Sequence, residues 1–267
     1  MKRFLVLLLT LVMCLHLSAC GGSKPQDDGQ TVVDDLAYVQ EKGTLVVGIT
    51  DFAPMDFQNE NGDWIGFDAD MATAFAESLG VSVEFKVIDW SSKVIELNDK
   101  NIDVVWNGMT LSDDIKAAMS TSKPYFNNAQ VVIVKADAAE KYQTADSLTG
   151  AAFAVESHSA GQEQADIYEF NYTVVSDQTT ALQNVSSGES DAAIIDFLMA
   201  IAMIGEGKDY ADLTYTVSLS DEEYGVGFRS GSNLVDALND FFVESYISGA
   251  MQSIARNYGI SAFLLAQ

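Results

Sequence analysis

The 267-residue sequence predicts an α/β fold with mostly parallel sheets, and two observations carry that prediction. Short apolar runs alternate with helical patterns along almost the whole chain, as expected for strands covered by helices. Residues 66–80 also form a clear amphipathic pattern, because apolar side chains recur four apart and Gly80 ends it. With 48% hydrophobic residues, the chain can bury one large core or two medium ones.

The first segment in the chain matches a signal sequence. "MKR" is a positively charged start, and the apolar run after it is too short for a spanning helix, so we expect residues 1–19 to be a signal peptide. The signal ends in "LSAC", the cleavage pattern of a bacterial lipoprotein, which predicts that Cys20 becomes the lipidated N-terminus. Residues 20–30 match a polar, flexible tether. The alternative is an ordinary secretory signal with a chance cysteine. We expect an extracytoplasmic protein held at the cell surface by its lipid anchor.

Composition excludes several classes of function. Cys14 lies in the predicted signal, so the mature chain beyond Cys20 can form no disulfide and no cysteine metal site. His158 is the one histidine outside the signal, which leaves almost nothing for a zinc site or a catalytic triad. The net charge of −25 argues against nucleic acid as a partner. We expect a monomer without metal or cofactor.

After the tether, strand and helix patterns follow in sequence. The predicted strands cover residues 44–50, 81–89, 102–108, 129–136, 151–157, 172–176, 191–196 and 213–219. A closing helical region spans about 232–258 and is interrupted near Gly249.

Two segments repeat one pattern. Residues 97–108 and 185–196 each place an apolar residue six before an aspartate, Asp103 or Asp191, and then end an apolar run in Asn107 or Asp196. Both match a helix, a tight turn and a strand. Because the carboxyl ends of parallel strands face the binding crevice of an open sheet, the repeat suggests two lobes facing one cleft.

Several separated motifs resemble one family. They are residues 42–85, "IDW" (88–90), "NGMTLSDD" (107–114), "PYF" (124–126), "GESDAAIID" (188–196) and "EYGVGFRSGS" (223–232). In this order they resemble the extracellular solute-binding proteins of polar amino-acid ABC transporters. The resemblance implies a periplasmic-binding-protein-like fold of two α/β lobes with a hinge between them. The first lobe would be 31–126 plus 222–267 and the second 130–218.

The resemblance also implies a ligand site. Asp196 matches the aspartate that receives the ligand's α-ammonium, although an aspartate before "FLMAIAMI" could instead be a helix N-cap. The other implied contacts fall into aromatic walls, contacts to the α-carboxylate and a weakly matching first-loop acid. The walls are Phe52 and Trp90, with Trp106 as a further candidate; the carboxylate contacts are Gly108 and Thr110, next to Asn107; the acid is Asp51. A place in the core is the rival interpretation for the aromatics.

Two positions depart from the family. Ile115 stands where the arginine that grips the α-carboxylate should be, and a bidentate guanidinium is the strong solution for a carboxylate. Lys93 is a possible substitute or an exposed surface lysine. Glu156 stands where relatives carry lysine or glutamine facing the ligand's far end, and Ser159 and Ala160 continue that loop into a helix N-terminus. His158 is expected to face solvent.

We therefore expect capture of a small amine-bearing solute, a neutral or basic amino acid or derivative, and its delivery to a membrane ABC permease. Its carboxylate end would be held by neutral donors, namely the Thr110 hydroxyl, the backbone around Gly108 and the Asn107 amide. One alternative is an enzyme like cyclohexadienyl dehydratase, known on this scaffold, with Glu156 as a general acid. Another is a surface interaction protein that has lost its solute.

Overall fold

The computed structural model describes residues 33–267. The predicted signal peptide, Cys20 and the tether lie outside the described residues. Within residues 33–267, none of the helices combines the length and the apolar character that a membrane crossing requires.

The described residues alternate strands and helices as predicted. The strands are β1 (Thr44–Ile49), β2 (Phe57–Gln58), β3 (Trp64–Ile65), β4 (Ser82–Val87), β5 (Val104–Thr110), β6 (Ser120–Thr121), β7 (Phe126–Lys135), β8 (Ala152–Glu156), β9 (Asn171–Val175), β10 (Ala192–Asp196) and β11 (Leu213–Phe228). The helices are α1 (Asp35–Lys42), α2 (Phe67–Ser78), α3 (Lys93–Asn98), α4 (Asp113–Ala118), α5 (Ala160–Ile167), α6 (Gln178–Ser187), α7 (Phe197–Met203), α8 (Leu234–Ser248) and α9 (Ala250–Asn257).

The main sheet has the order β4-β1-β5-β11-β7-β10-β8-β9, with β6 paired to β11. β1 runs parallel to β4 and β5, and β8 runs parallel to β9 and β10. The long strands β7 and β11 pair antiparallel to each other and join these two parallel groups. We call the group around β4, β1 and β5, with its helices, the first lobe, and the group around β10, β8 and β9 the second lobe.

All the predicted strands are present, and the sequence missed three features. The hairpin of β2 and β3 and the short β6 have strands of two residues, too short for an alternating pattern. β11 continues through Phe228, nine residues past the predicted end at 219, because "EEYGVGF" contains two glycines and resembles a loop.

The two predicted helical regions are confirmed. α2 buries Phe67, Met71 and Phe75 on one face against the first lobe's sheet. The closing region is broken where predicted, because Gly249 adopts the left-handed conformation (φ +82°) between α8 and α9. Both helices contribute to the same core, with Phe242 and Met251 fully buried.

The repeated pattern has a structural basis. Val46 N–H donates to Asp103 Oδ2 at 2.8 Å, and Ala152 N–H donates to Asp191 Oδ2 at 2.9 Å. Each aspartate thus ties the strand that it precedes to the early part of the neighbouring parallel strand, β1 or β8. β5 and β10 run in opposite directions beside the long strands, so their carboxyl ends approach each other, with Thr110 opposite Tyr224 of β11 and Asp196 opposite Gln130 of β7. A ligand crevice is expected between these ends.

Candidate functional site

A cavity of about 400 Å³ lies between the two lobes, at the carboxyl ends of β5, β8 and β10. All the predicted ligand-binding residues except Asp51 and Trp106 line it. The lining predicted residues are Phe52, Trp90, Lys93, Asn107, Gly108, Thr110, Glu156, Ser159, Ala160 and Asp196. Lining residues that the sequence did not suggest include Thr50, Ser112, Asp114, Glu163, Asp166 and Gln178.

Trp106 and Asp51 are corrections to the predicted set. Trp106 is completely buried and packs edge-on against Phe75 and Phe242, with ring centroids 6.3 and 5.7 Å away. Since side chains alternate along a strand, Trp106 enters the core while Asn107 faces the cavity. Asp51 is exposed and outside the cavity lining. Of the three predicted aromatic residues, Phe52, which packs against Tyr224 with ring centroids 6.5 Å apart, and Trp90 line the cavity.

Asp196 is the most firmly held side chain in the cavity. Its Oδ1 accepts from Asn128 Nδ2 and from the Tyr224 hydroxyl, both at 2.6 Å, and its Oδ2 accepts from Gln178 Nε2. Burial raises the pKa of Asp196, and these hydrogen bonds oppose the rise. Asp196 also occupies the N-cap position of α7, but its side chain makes no capping hydrogen bond. Its carboxylate is thus directed to the cavity and not to the helix.

Glu222 belongs to the same network and was not predicted. Its Oε1 accepts from Asn128 Nδ2 at 2.5 Å and from Gln130 Nε2 at 2.9 Å. Burial and the neighbouring Asp196 raise the pKa of Glu222 to about 8. Glu222 lies just past the strand predicted for residues 213–219, in a run of three acidic residues (221–223), and nothing in the sequence tells which of them turns inward.

In the first lobe, two residues predicted to contact the ligand make hydrogen bonds within the protein. Asn107 Nδ2 donates to Thr50 Oγ1 at 2.7 Å, and Asn107 Oδ1 accepts from Thr50 N–H at 2.9 Å. Gly108 N–H donates to buried Asp68 at 2.7 Å. The Gly108 N–H is therefore used within the first lobe, whereas the Asn107 amide keeps a second N–H. Both residues line the cavity, so ligand contacts from Asn107 and from the backbone around Gly108 stay predictions. Thr110, half-buried at the end of β5, keeps its place in the lining.

Lys93 is buried at 5% exposure, so it is not a surface lysine. Its Nζ donates to Trp90 O and to His158 O, both at 3.2 Å, and lies 4.6 Å from the centroid of the Trp90 ring. Burial lowers the pKa of Lys93 to about 8, against the attraction of Glu156. Lys93 therefore brings a positive charge into the cavity and also bridges the two lobes.

Ile115 lines the cavity from α4, so an apolar side chain stands at the position where the resemblance implied an arginine. The side chain packs against the apolar cluster that contains Trp90 and Met109. His158 is exposed, as predicted, and has a positive φ of 55° that turns its carbonyl towards Lys93. Without a guanidinium at position 115, Lys93 is the buried cation of the described cavity lining.

The second lobe also supplies Glu156 and the start of α5. Ser159 is the N-cap of α5: its Oγ accepts from Gln162 N–H at 3.1 Å and donates to Glu156 O at 2.9 Å. Burial and the negative charge of Asp196 raise the pKa of Glu156 to about 8. The Ser159 O–H is therefore donated within the protein, whereas the Glu156 carboxylate faces the cavity.

Comparisons with known proteins agree with this geometry. Residues 45–261 match the model of the bacterial extracellular solute-binding proteins, family 3. The chain is 30% identical to the L-cystine-binding protein TcyJ of Escherichia coli over 227 residues, covering 84% of this chain and 85% of the relative. It is 24% identical over 198 residues to cyclohexadienyl dehydratase of Pseudomonas aeruginosa, covering 72% of each.

The chain belongs to the bacterial extracellular solute-binding proteins, family 3. Its fold is the two-lobed fold of these proteins: an ABC uptake transporter substrate-binding protein from Streptococcus pneumoniae, solved with bound histidine, superposes with a TM-score of 0.77 at 28% identity, covering 85% of this chain and 96% of that one. The predicted family and fold class are confirmed.

Proposed function

We propose that this protein captures a small amine-bearing solute, a neutral or basic amino acid or derivative, and delivers it to a membrane ABC permease. The observation that carries the proposal is the buried Asp196 carboxylate facing a cavity between two lobes. A desolvated carboxylate in such a place needs a positive partner, and an α-ammonium group supplies one. Phe52 and Trp90 would sandwich the ligand, and Thr110 and Lys93 would face its carboxylate.

Release and capture would follow from movement of the two lobes about β7 and β11. We propose the boundaries predicted from the sequence, 31–126 plus 222–267 for the first lobe and 130–218 for the second. The Lys93–His158 contact would then form only when the lobes are closed.

A thermal-shift screen of ligand-stripped protein tests the function. Neutral and basic amino acids should raise the melting temperature, because a ligand that binds only the folded state stabilises it by mass action. Native mass spectrometry of the purified protein should show a co-purifying small amine. Absence of both effects would contradict solute capture and favour an interaction protein that has lost its solute.

The enzymatic alternative rests on Glu156, a buried carboxyl group in the cleft whose pKa burial raises to about 8, as a general acid requires. Other cavity-lining acids, apart from Asp196, are exposed at the rim, so a paired acid and base would have to be Glu156 and Asp196. We propose that no bond is made or broken. Turnover of added prephenate would overturn this view, whereas stabilisation by unchanged amino acids supports it.

We propose that the mature protein is a lipoprotein, on the basis of "LSAC" at residues 17–20. Cys20→Ala should remove the site of lipidation and move the protein out of the membrane-bound fraction. The measurement is metabolic labelling with a fatty acid together with fractionation; Cys14→Ala is the matched control and should leave both unchanged. Continued labelling of the Cys20→Ala protein would exclude Cys20 as the anchor.

A further inference from the structure

Glu156 is a buried acid that the protein itself leaves without a partner. Its side chain is 5% exposed at the end of β8 and lines the cavity. Within residues 33–267 its carboxylate makes no hydrogen bond of normal geometry. The neighbouring Gln178 amide, which acts to lower the pKa of Glu156, directs its Nε2 to Asp196 and accepts from Asp196 N–H through Oε1. Glu156 therefore differs from Asp196, which has three donors.

The charged residues around Glu156 do not neutralise its carboxylate either. Asp196 and Asp177 are negative neighbours from β10 and the start of α6, and they oppose its ionisation. Lys93 attracts it, but Lys93 Nζ already donates to two backbone carbonyls. The ionisable residues at the rim are His158 and the exposed acids Asp114, Glu163 and Asp166, so the rim adds mostly negative potential.

A ligand must balance these charges when the cleft excludes water. With an α-amino acid bound as proposed above, the ammonium neutralises Asp196 and the carboxylate neutralises Lys93. Glu156 is then either ionised and unpaired, which is costly in a desolvated site, or protonated. A second positive group at the far end of the ligand would remove this cost. Ionised Lys93, Asp196 and Glu156 together carry a charge of −1, which a ligand of net charge +1 balances. Glu222 is counted as protonated, because burial and Asp196 raise its pKa to about 8.

We propose that Glu156 is a specificity-determining residue that selects ligands with a cationic group distant from the α-amino group, and that it gives up a proton to solvent when such a ligand binds. This inference rests on the proposed function, since it assumes an amino acid held by Asp196. Glu156–COOH becomes Glu156–COO⁻, and the ligand cation takes the place of the lost proton. The selected class is that of basic amino acids.

Matched ligand pairs test the inference by calorimetry. L-Arginine and L-citrulline have nearly the same shape but differ in the charge of the distal group, and L-lysine and L-norleucine form a second pair. The wild-type protein should prefer the charged member by a factor on the order of 100. Glu156→Gln should reduce this preference to within a few-fold by weakening the charged member, whereas Glu189→Gln, at an exposed position of the second lobe outside the cavity lining, should leave the preference large.

Proton release gives a second readout. Titrations at pH 7 in buffers of different ionisation enthalpy should show release of about one proton per bound arginine or lysine, and almost none for citrulline or for the Glu156→Gln protein. Equal or tighter binding of the neutral members, or an unchanged preference in Glu156→Gln, would overturn the role of Glu156 while leaving amino-acid capture intact. Binding of none of the four, with no other amino acid stabilising the protein, would overturn the proposed function and the inference with it.

Discussion

The two lobes face the same cavity with opposite chemistry. In the first lobe the polar groups at the end of β5 bind within the protein, Asn107 to Thr50 and Gly108 to Asp68, and the buried charged residue that lines the cavity is Lys93. In the second lobe the strand ends carry the carboxylates of Asp196 and Glu156. Two strand ends with similar sequence patterns can thus differ in role: one forms hydrogen bonds within its own lobe, and the other presents carboxylates to the cavity.

The difference also assigns the ends of a ligand. A zwitterion between these surfaces would direct its ammonium to the second lobe and its carboxylate to the first. Because the Gly108 N–H already donates to Asp68, the carboxylate would have Lys93, the Thr110 hydroxyl and the second N–H of the Asn107 amide as candidate partners. The first lobe would thus bind the anionic end of the ligand less strongly than the second lobe binds its cationic end.

Removing the charge of the second lobe should have the largest effect. Asp196→Asn keeps the shape and can still accept from Asn128 and Tyr224, but it cannot pair with an ammonium. Binding of L-arginine should weaken by about 2–4 kcal/mol, as for a desolvated pair that loses one partner.

The measurement is titration calorimetry on a variant whose circular dichroism shows a folded protein. Asp191→Asn is the matched control, since Asp191 lies at the other end of the same strand segment and away from the cavity. Unchanged affinity in folded Asp196→Asn would remove this residue from the ligand site.

Disturbing the backbone of β5 at Gly108 should have a smaller effect on ligand binding. Gly108 has a positive φ of 55°, and an added Cβ would lie 2.5 Å from the Phe52 ring and 3.1 Å from Tyr224. Gly108→Ala should therefore cost about 1–3 kcal/mol of stability and displace the Phe52 wall, which weakens binding as well.

Gly43→Ala separates the two causes. Gly43 also has a positive φ, but an added Cβ there would contact nothing within 4 Å. Thermal unfolding and calorimetry of both variants should show lower melting temperatures in both, and a loss of affinity in Gly108→Ala alone. Equal loss of affinity would mean that β5 does not position Phe52 for the ligand.

The smallest effect is the pH dependence of the empty protein. Burial raises the pKa of Glu156 from its ordinary value of 4.5 to about 8, so between these values the folded protein holds a proton that the unfolded chain has lost. The contribution of Glu156 to the free energy of unfolding is therefore fully present below pH 4.5 and is lost as the pH rises through 8. Burial lowers the pKa of Lys93 from 10.5 to about 8, so Lys93 has the opposite effect on the pH dependence of stability. Its contribution to the free energy of unfolding is fully present above pH 10.5 and is lost as the pH falls through 8.

Melting temperatures from pH 5 to 10 compare the two residues. Glu156→Gln should reduce the fall of the melting temperature between pH 5 and 8 by a few degrees relative to wild type. Lys93→Met should change the melting temperature profile only above pH 8, where the contribution of Lys93 rises with pH. Glu163→Gln is the exposed control and should follow the wild-type profile. A Glu156→Gln profile parallel to wild type would show that Glu156 is not buried in solution as it is in the structure.

The sequence predicted the architecture well because hydrophobic periodicity depends on neighbours along the chain. The β5 and β10 strands, the stripe of α2 and the break at Gly249 are all of this kind. The family match also placed Asp196, Trp90 and Phe52 correctly in the cavity lining.

What the sequence could not supply depends on contacts between distant residues. The pairing of Gly108 with Asp68 joins positions 40 residues apart, and the pairing of Asn107 with Thr50 joins positions 57 apart. Whether a donor at Asn107 or Gly108 is free for a ligand depends on such partners, which the sequence does not show. The sequence also could not decide whether Trp106 lies in the core or lines the cavity. Its strand is buried on both faces, so the alternation of side chains gives no sign of which face lines a cavity.

The three donors on Asp196 come from β7, α6 and β11, so its carboxylate is fixed in place before any ligand arrives. The entropy of ordering this side chain is therefore lost once, during folding, and a ligand does not lose it again on binding. The empty protein in return keeps a buried negative charge that lowers its own stability. Affinity for the solute and fragility of the unoccupied receptor thus have a common origin in one immobilised carboxylate.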